Sequence, residues 1–327
     1  MNILIRWCAL LSLQFFAVTV AAEDVINIGY QTGIEPAKLA IANAEYEKLT
    51  NSKINWRRFD NGAELVRAIA SGDIDIGNVG SSVVATAVTR RLPIETFLIA
   101  AQLGESEALI VRNNAGINSP LDLIGKTIAV PFVSTSHYSL LTALKHWNVD
   151  QSKVKVINLR ASEIAAAWQR GDIDAAFVWE PSLGRIKETG KVFATSNDLA
   201  QWGAPSFDLW ISHKDFAQKQ AKFLADFARV SIENYQHFRN DPKQFVADAN
   251  KINQIAKVTG AKPDDIKTLL LGDFYPVQNE QINLLSVAVS KALLDTATFL
   301  KSQGQLDSVL SDYSAYVNPE YVRQTSK

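Results

Sequence analysis

The tetrapeptide Gly-Asp-Ile-Asp occurs twice in the chain, at residues 72–75 and at residues 171–174. Each copy follows a helix-like stretch, AELVRAIAS or SEIAAAWQR, and each opens an apolar strand-like stretch. Glycine commonly ends a helix, and a short turn into a buried strand is typical of βαβ units. We therefore expect one structural unit to occur twice, with the repeated tetrapeptide serving as scaffold.

Strand-like and helix-like stretches alternate on both sides of these copies. The strand-like stretches are DVINIGYQT, INWRRFD and DIDIGNVG in the first series, and TIAVPFVST, VKVINLR and DIDAAFVW in the second. This order predicts an α/β protein with two βαβ lobes, each built on a mostly parallel sheet. Open sheets of this kind bind ligands at the carboxyl ends of their strands.

A chain that leaves one lobe, builds a second and returns must cross between them twice. The stretches SEALIVR (106–112) and FDLWISH (207–213) are the natural crossings, so the sequence predicts a two-strand hinge. The expected first lobe comprises residues 23–107 and 212–327, and the second comprises residues 108–211. The C-terminal segment is predicted to be helical, with candidate helices at 216–239, 243–258, 279–303 and 306–313.

The N-terminal residues 1–22 have the composition of a secretory signal peptide. Arg6 is the only charged residue before Glu23, an apolar run follows it, and small residues end the segment at 20–22. The alternative is a membrane anchor, but the apolar run is shorter than the roughly 20 residues that a spanning helix needs. We therefore expect cleavage after Ala22 and a periplasmic protein.

Several function classes lack their characteristic residues. Cys8 is the only cysteine, so removal of the signal would exclude disulfides and thiolate chemistry. The four histidines are scattered, LIGKT lacks the first glycine of a phosphate-binding loop, and the formal net charge is −1. We expect no metal, cofactor, catalytic group or nucleic-acid partner.

The loops that follow the predicted strands carry the candidate binding residues. Two of these loops open helices with hydroxyl side chains, and a helix N-terminus attracts an anion through its free N–H groups. Simple helix capping by serine and threonine explains them equally well. The hydroxyl residues are Ser81 and Ser82 in the first series and Ser134, Thr135 and Ser136 in the second.

Aromatic and acidic side chains occupy the other loops. These residues are Tyr30, Gln31, Glu35, Trp179, Glu180, Asp208 and Trp210. Asp208 stands among apolar neighbours, and a buried carboxylate needs a partner, either an internal lysine or arginine or the ligand itself. Hydroxyls and helix N-termini on one side and carboxylates and aromatics on the other predict a site for a small zwitterion.

The chain resembles the taurine-binding periplasmic components of ABC importers. The stretches that carry the resemblance are YQTGIEPAK, ASGDIDIGNVGSS, SEALIV, DLIGKTIAVPFVSTSHYSLLTALKHW, AAWQRGDIDAAFVWEPS and QWGAPSFDLW. The resemblance implies a type II periplasmic binding-protein fold in a superfamily whose members also bind alkanesulfonates, nitrate or pyrimidine precursors. It implies ligand residues in the loops above, with Asp208 as the partner of the ammonium group of taurine.

The same resemblance implies a monomer that delivers taurine to a membrane permease and ATPase for sulfur acquisition. Other alkanesulfonates, or a related small anion or zwitterion, are the alternative ligands, and a sensory role is not distinguished by sequence. A thiamin-pyrimidine synthase of the same superfamily is disfavoured, because that enzyme is cytosolic and uses a cysteine-rich motif that this chain lacks.

Overall fold

The computed structural model describes residues 25–325, which form two five-stranded sheets. The predicted signal peptide lies outside the described residues. The strand bounds are β1 Val25–Tyr30, β2 Lys53–Arg58, β3 Ile76–Gly80, β4 Ile94–Gln102, β5 Glu107–Arg112, β6 Thr127–Val130, β7 Lys155–Asn158, β8 Ala175–Trp179, β9 Gly190–Thr195 and β10 Phe207–His213. The strand order is β2-β1-β3-β10-β4 in the first sheet and β7-β6-β8-β5-β9 in the second.

The two sheets have the same plan, which confirms the repeat. In the first sheet β1 pairs in parallel with β2 and β3, and in the second β6 pairs in parallel with β7 and β8. The fourth position of each sheet is an antiparallel strand, β10 in the first and β5 in the second. The α/β two-lobe prediction is therefore confirmed.

The repeated tetrapeptide has the same structural role in both lobes. Gly72 and Gly171 both have φ of +83°, which ends the preceding helix. The side chain of Asp75 accepts a hydrogen bond from the Asn27 N–H at 2.8 Å, and that of Asp174 accepts one from the Thr127 N–H at 2.8 Å. Each aspartate thus fixes the start of the neighbouring parallel strand.

The helices cover the sheets and fill the C-terminal segment. Their bounds are α1 Lys38–Ala42, α2 Glu45–Thr50, α3 Gly62–Ala70, α4 Ser81–Thr89, α5 Thr135–His146, α6 Ala161–Arg170, α7 Ser182–Lys187, α8 Ser196–Gln201, α9 Lys214–Lys219, α10 Ala221–Asn240, α11 Pro242–Ala247, α12 Ala249–Thr259, α13 Pro263–Gly272, α14 Gln278–Asn283, α15 Val289–Ser302 and α16 Glu320–Gln324. The predicted helix at 306–313 is wrong: this stretch is irregular, with Leu306 and Tyr313 buried. The Tyr313 hydroxyl lies 2.6 Å from the Thr89 hydroxyl of α4, so tertiary contacts hold the segment.

The C-terminal helices divide between two cores. Phe227, Leu293 and Val322 pack with the first sheet. The run Gln278–Ser302 is long and apolar enough to span a bilayer by composition, but its buried residues belong to this core. Ile252 and Ile266 instead join a core that also holds Ile164 and Trp168 of the second lobe, and Lys262 pairs with Glu188 of that lobe.

The crossings between the lobes are short loops rather than the strands themselves. The loops are residues 103–106 and 202–206, while β5 and β10 are each paired throughout within a sheet. The predicted boundary at residue 211 therefore falls inside β10. A third segment lies beside the first crossing: Phe274 pairs with Gln102, and the Asp273 carboxylate accepts from the Gly104 N–H at 2.8 Å.

Candidate functional site

A pocket lies between the lobes, where the carboxyl ends of the parallel strands meet the two crossings. It encloses about 490 Å³ of space, part of it open to solvent. Its lining residues are Gln31, Gly33, Ile34, Gly62, Gly80, Val83, Leu103, Ser106, Glu107, Ser134, Thr135, Trp179, Glu180 and Asp208. Both lobes and the first crossing contribute lining residues, as expected for a site that is complete only when the lobes are together.

The lobes touch each other around this pocket. The Thr32 hydroxyl of the first lobe donates to the main-chain carbonyl of Glu180 in the second, at 2.6 Å. Arg160 of the second lobe pairs with Glu64 of the first at 2.9 Å. The structure therefore represents a closed arrangement.

The structure brings half of the sequence-predicted site residues to the pocket wall. Those that line it are Gln31, Ser134, Thr135, Trp179, Glu180 and Asp208. Those that do not line it are Tyr30, Glu35, Ser81, Ser82, Ser136 and Trp210. The second group contains side chains with internal partners, which sequence alone does not reveal.

Glu35 and Trp210 belong to a buried layer behind the wall. The Glu35 carboxylate accepts from the Lys38 ammonium at 2.8 Å and from the Tyr235 hydroxyl at 2.5 Å, so both of its oxygens have protein partners. The Lys38 ammonium also lies 5.6 Å from the ring centre of Trp210 and 5.7 Å from that of Tyr30. These residues form a support for the site rather than its surface.

Asp208 reaches the pocket from the start of β10. Burial raises the pKa of its carboxyl to about 7, and the nearby Lys38 ammonium offsets part of that rise. Among residues 25–325 no hydrogen bond or ion pair to the Asp208 side chain is present, and the nearby Lys38 is paired with Glu35. Lys38 therefore attracts Asp208 only over a longer distance and does not pair with it as the alternative prediction required. The Asp208 carboxyl remains available to a ligand.

The α4 N-terminus opens on the pocket through Gly80 and Val83. The Ser81 hydroxyl accepts a hydrogen bond from the Phe207 N–H at 3.2 Å, which ties α4 to β10. The Ser82 side chain is buried, and its hydroxyl has no partner in the described part of the chain. The helix N–H groups and the unpartnered Ser82 hydroxyl are therefore the donors that this element can offer.

The α5 N-terminus meets the pocket from the other lobe. The Ser134 hydroxyl accepts from the His137 N–H at 3.1 Å and donates to the Pro131 carbonyl at 2.5 Å, so this side chain is a helix cap. Thr135 follows it and donates its hydroxyl hydrogen bond to Glu107. Burial lowers the pKa of His137 to about 4, so no positive charge stands at this helix end.

Glu107 is the charged pocket residue that was not predicted from the sequence. It opens β5, it is 4% exposed, and burial raises the pKa of its carboxyl to about 8. One carboxyl oxygen accepts from Thr135, and the other is buried without a partner among the described residues. An acidic residue directly before the apolar run of residues 108–111 was the available signal.

Glu180 provides a third carboxyl group at the pocket. One of its oxygens accepts from the Gly184 N–H at 3.0 Å, and the other is buried and unpartnered in the described chain. Burial, with a contribution from Asp265, raises the pKa of Glu180 to about 7 in spite of the hydrogen bond from Gly184. The described residues contain no cluster of three potential metal ligands, so these carboxyls are not grouped as a metal centre would be.

The pocket is therefore acidic on its side chains and donor-rich on its backbone. Glu107, Glu180 and Asp208 line it, and among the residues that the structure describes no lysine, arginine or histidine lines it. Burying ionised carboxylates without a cation is costly, so the pocket is completed either by protons or by a positively charged ligand. The two helix N-termini can bind an anionic group at the same time.

Comparison with known proteins shows the family of this chain. Residues 58–245 match the family model described as NMT1/THI5 like. The taurine-binding periplasmic protein of Escherichia coli (strain K12) is 44% identical over 314 residues, which cover 96% of this chain and 97% of that protein. The chain belongs to the NMT1/THI5-like family.

Solved structures show how widely the family fold is used. The alkanesulfonate-binding protein SsuA from Xanthomonas axonopodis pv. citri, bound to MOPS, aligns with a TM-score of 0.73 and 22% identity, covering 89% of this chain and 97% of that one. The desulfurization enzyme DSZB aligns with a TM-score of 0.64 and 14% identity, covering 93% and 99%. The fold itself thus serves both binding proteins and an enzyme.

Proposed function

We propose that the protein captures taurine, 2-aminoethanesulfonate, in the periplasm and delivers it to the permease and ATPase of an ABC importer. The observation that carries the proposal is a closed two-lobe pocket that combines two helix N-termini with three carboxyl groups and no basic lining residue. A small zwitterion matches both halves of this surface. The 44% identity to a taurine-binding periplasmic protein supports the same ligand.

The sulfonate suits the backbone donors of α4 and α5. A sulfonate stays ionised at any physiological pH and accepts hydrogen bonds without donating any. A helix N-terminus stabilises such an anion by about 0.3–1 kcal/mol, and by up to about 2 kcal/mol where it is partly buried. Two such termini from opposite lobes would favour closure around the ligand, because the contacts of both are available only in the closed form.

The ammonium suits the acidic side of the pocket, and Asp208 is its proposed partner. A hydrogen bond to a charged group is worth about 1.5–3 kcal/mol. A plain alkanesulfonate would leave the carboxyl of Asp208 buried without this partner. Alkanesulfonates are therefore the alternative ligand class, and their binding relative to taurine separates the two.

The mature chain is proposed to begin near Glu23 and to act as a monomer without cofactor. The mature sequence has no cysteine, so it lacks a thiol nucleophile. Binding and release, rather than chemistry on the ligand, are the proposed activity.

Calorimetry with taurine, ethanesulfonate, sulfate and nitrate tests the proposal. We expect taurine to bind most tightly, and Asp208→Asn to weaken taurine by at least about tenfold, which corresponds to about 1.4 kcal/mol. The same variant should leave ethanesulfonate unchanged or tighter. Tighter binding of ethanesulfonate than taurine by the parent protein would establish the alkanesulfonate alternative instead.

A further inference from the structure

Glu107 has the features of a ligand-binding group, because the protein supplies a hydrogen-bond partner to only one of its two carboxyl oxygens. Its side chain is 4% exposed, it lines the pocket, and Thr135 holds one carboxyl oxygen in place. The other oxygen is buried and has no partner among residues 25–325. A buried carboxyl oxygen without a donor is costly unless a ligand completes it.

The charges around Glu107 are of one sign. Asp208 of β10 and Asp273, beside the first crossing, both raise its pKa, while the Thr135 and Ser136 hydroxyls lower it. Lys38 acts on Asp208 but is bonded to Glu35. No cation of the described chain neutralises Glu107, so the missing positive charge has to come from the ligand or be replaced by a proton.

Glu107 and Asp208 also lie on different sheets. Glu107 begins β5 of the second sheet, directly after the first crossing, and Asp208 is the second residue of β10 in the first sheet, directly after the second crossing. Each therefore belongs to the strand that enters a lobe from the hinge. A cation held by both carboxylates would join the two lobes next to the hinge.

We propose that Glu107 is the second half of an ammonium clamp, which binds the cationic group of the ligand together with Asp208 and so makes the site specific for aminosulfonates. This proposal rests on the proposed function, since it assigns a residue to the cationic group of the same ligand. A sulfonate without an ammonium would leave two buried carboxyls of opposite lobes without a cation, so at least one would remain protonated.

The decisive experiment compares Glu107→Gln with the parent on two ligands that differ only at the cationic end, taurine and 2-hydroxyethanesulfonate. Glutamine keeps the shape and can still accept from Thr135, but it removes the charge. We expect taurine to bind at least about tenfold more weakly, a loss of about 1.4 kcal/mol, and the hydroxy analogue to bind equally well or more tightly. Glu105→Gln is the matched control, because it makes the same change two residues away on a side chain outside the pocket lining.

Other outcomes would overturn the clamp. Equal losses of affinity for both ligands would show that Glu107 only supports Thr135. Unchanged binding of both ligands would show that the Glu107 carboxyl is protonated in the complex and contributes no charge. A parent protein that binds the hydroxy analogue but not taurine would contradict the proposed function and the clamp together. A parent that binds taurine with no selective loss in Glu107→Gln would contradict the clamp alone.

A measurement on the unaltered protein keeps the proposal testable if the variant does not fold. The ammonium of taurine favours ionised carboxylates, so binding near pH 7 should release protons, seen as a dependence of the calorimetric heat on the buffer. The hydroxy analogue should release none. Equal proton release for both ligands would contradict the clamp.

Discussion

At the scale of single residues, the pocket carboxyls make stability depend on pH in an unusual direction. The pKa of Glu107 is about 8 in the folded protein against an ordinary value of 4.5, so between these values the folded protein binds more protons than the unfolded chain. The contribution of Glu107 to stability then falls as pH rises through this window, whereas the lowered pKa of His137 acts in the opposite direction below about pH 6.5. We expect the ligand-free protein to unfold at lower urea concentration at pH 8.5 than at pH 6.5, a range in which the Glu107 effect dominates.

The Glu107→Gln variant is the control for this pH dependence. It removes the group with the highest pocket pKa, so its urea midpoint should change less between the two pH values. A parent protein that gains stability over the same range would show that the pocket carboxyls are ionised in the ligand-free state.

Two ion pairs of similar length should differ sharply in their effect on stability. Lys38 and Glu35 pair at 2.8 Å with 0% and 3% side-chain exposure, whereas Arg160 and Glu64 pair at 2.9 Å with 53% and 37%. Removing one partner of a buried pair costs about 3–5 kcal/mol, and an exposed pair contributes about 0–1 kcal/mol. Urea unfolding of Lys38→Met and Arg160→Ala should show this contrast, and equal losses would contradict it.

The sequence predicted some pocket residues better than others for a physical reason. Asp208 stands out because a charge among Phe207, Leu209 and Trp210 must be either paired or functional. The fate of Glu35 could not be predicted, because its partner Tyr235 lies 200 residues along the chain. Glu107 was missed because an acidic residue at a strand end is ordinary until its burial is known.

At the scale of secondary-structure elements, closure brings the end of β3 against the start of α5. A Cβ atom placed on Gly80 of the first lobe would lie 2.6 Å from Thr135 Cγ2 of the second. The backbone of Gly80 has φ of −67° and ψ of 150°, which any residue adopts. We therefore expect Gly80→Ala to fold normally, to oppose closure, and to weaken ligand binding by about tenfold or more, as a clash of this kind commonly costs about 1–3 kcal/mol.

The rescue variant for this contact is Thr135→Ser. Serine keeps the hydroxyl that bonds Glu107 and removes the methyl group that Gly80→Ala would meet. The double variant should recover most of the binding that Gly80→Ala loses. If Gly80→Ala alone binds as tightly as the parent, the two lobes do not approach this closely in the bound state.

The sequence indicated the elements more reliably than their partners. The two βαβ series follow from periodicity and from the repeated Gly-Asp turn, and both sheets contain them as expected. The stretch 207–213 was correctly predicted as a strand, but a strand pattern does not say which sheet accepts it. All of β10 pairs with β3 and β4, which placed the crossing at 202–206 instead.

At the scale of the whole molecule, ligand binding should convert an open form into the closed one. Pocket residues come from both lobes, and the Thr32–Glu180 and Arg160–Glu64 contacts exist only when the lobes meet. Small-angle scattering should give a smaller radius of gyration with saturating taurine than without it. Tryptophan emission should change as well, since Trp179 lines the pocket.

Two other tryptophans serve as internal controls for that signal. Trp202 stacks on His146 at 4.0 Å, and Trp210 packs against Phe227 in the first core. Neither lines the pocket, so Trp179→Phe should remove most of the ligand-dependent change. An unchanged radius with saturating ligand would show that the lobes do not move.

The absence of any basic side chain from the pocket lining also determines what the protein would reject. Sulfate resembles a sulfonate group and can meet the same helix N-termini, but it carries a second negative charge and no cationic end, so it would leave the three buried carboxyls without a positively charged partner. Specificity is a difference between two binding free energies, so unfavourable contacts with a competing ligand contribute to it as much as favourable contacts with the preferred ligand. A binding protein with such a pocket would then spend little time occupied by sulfate, even where sulfate is present in excess of the ligand.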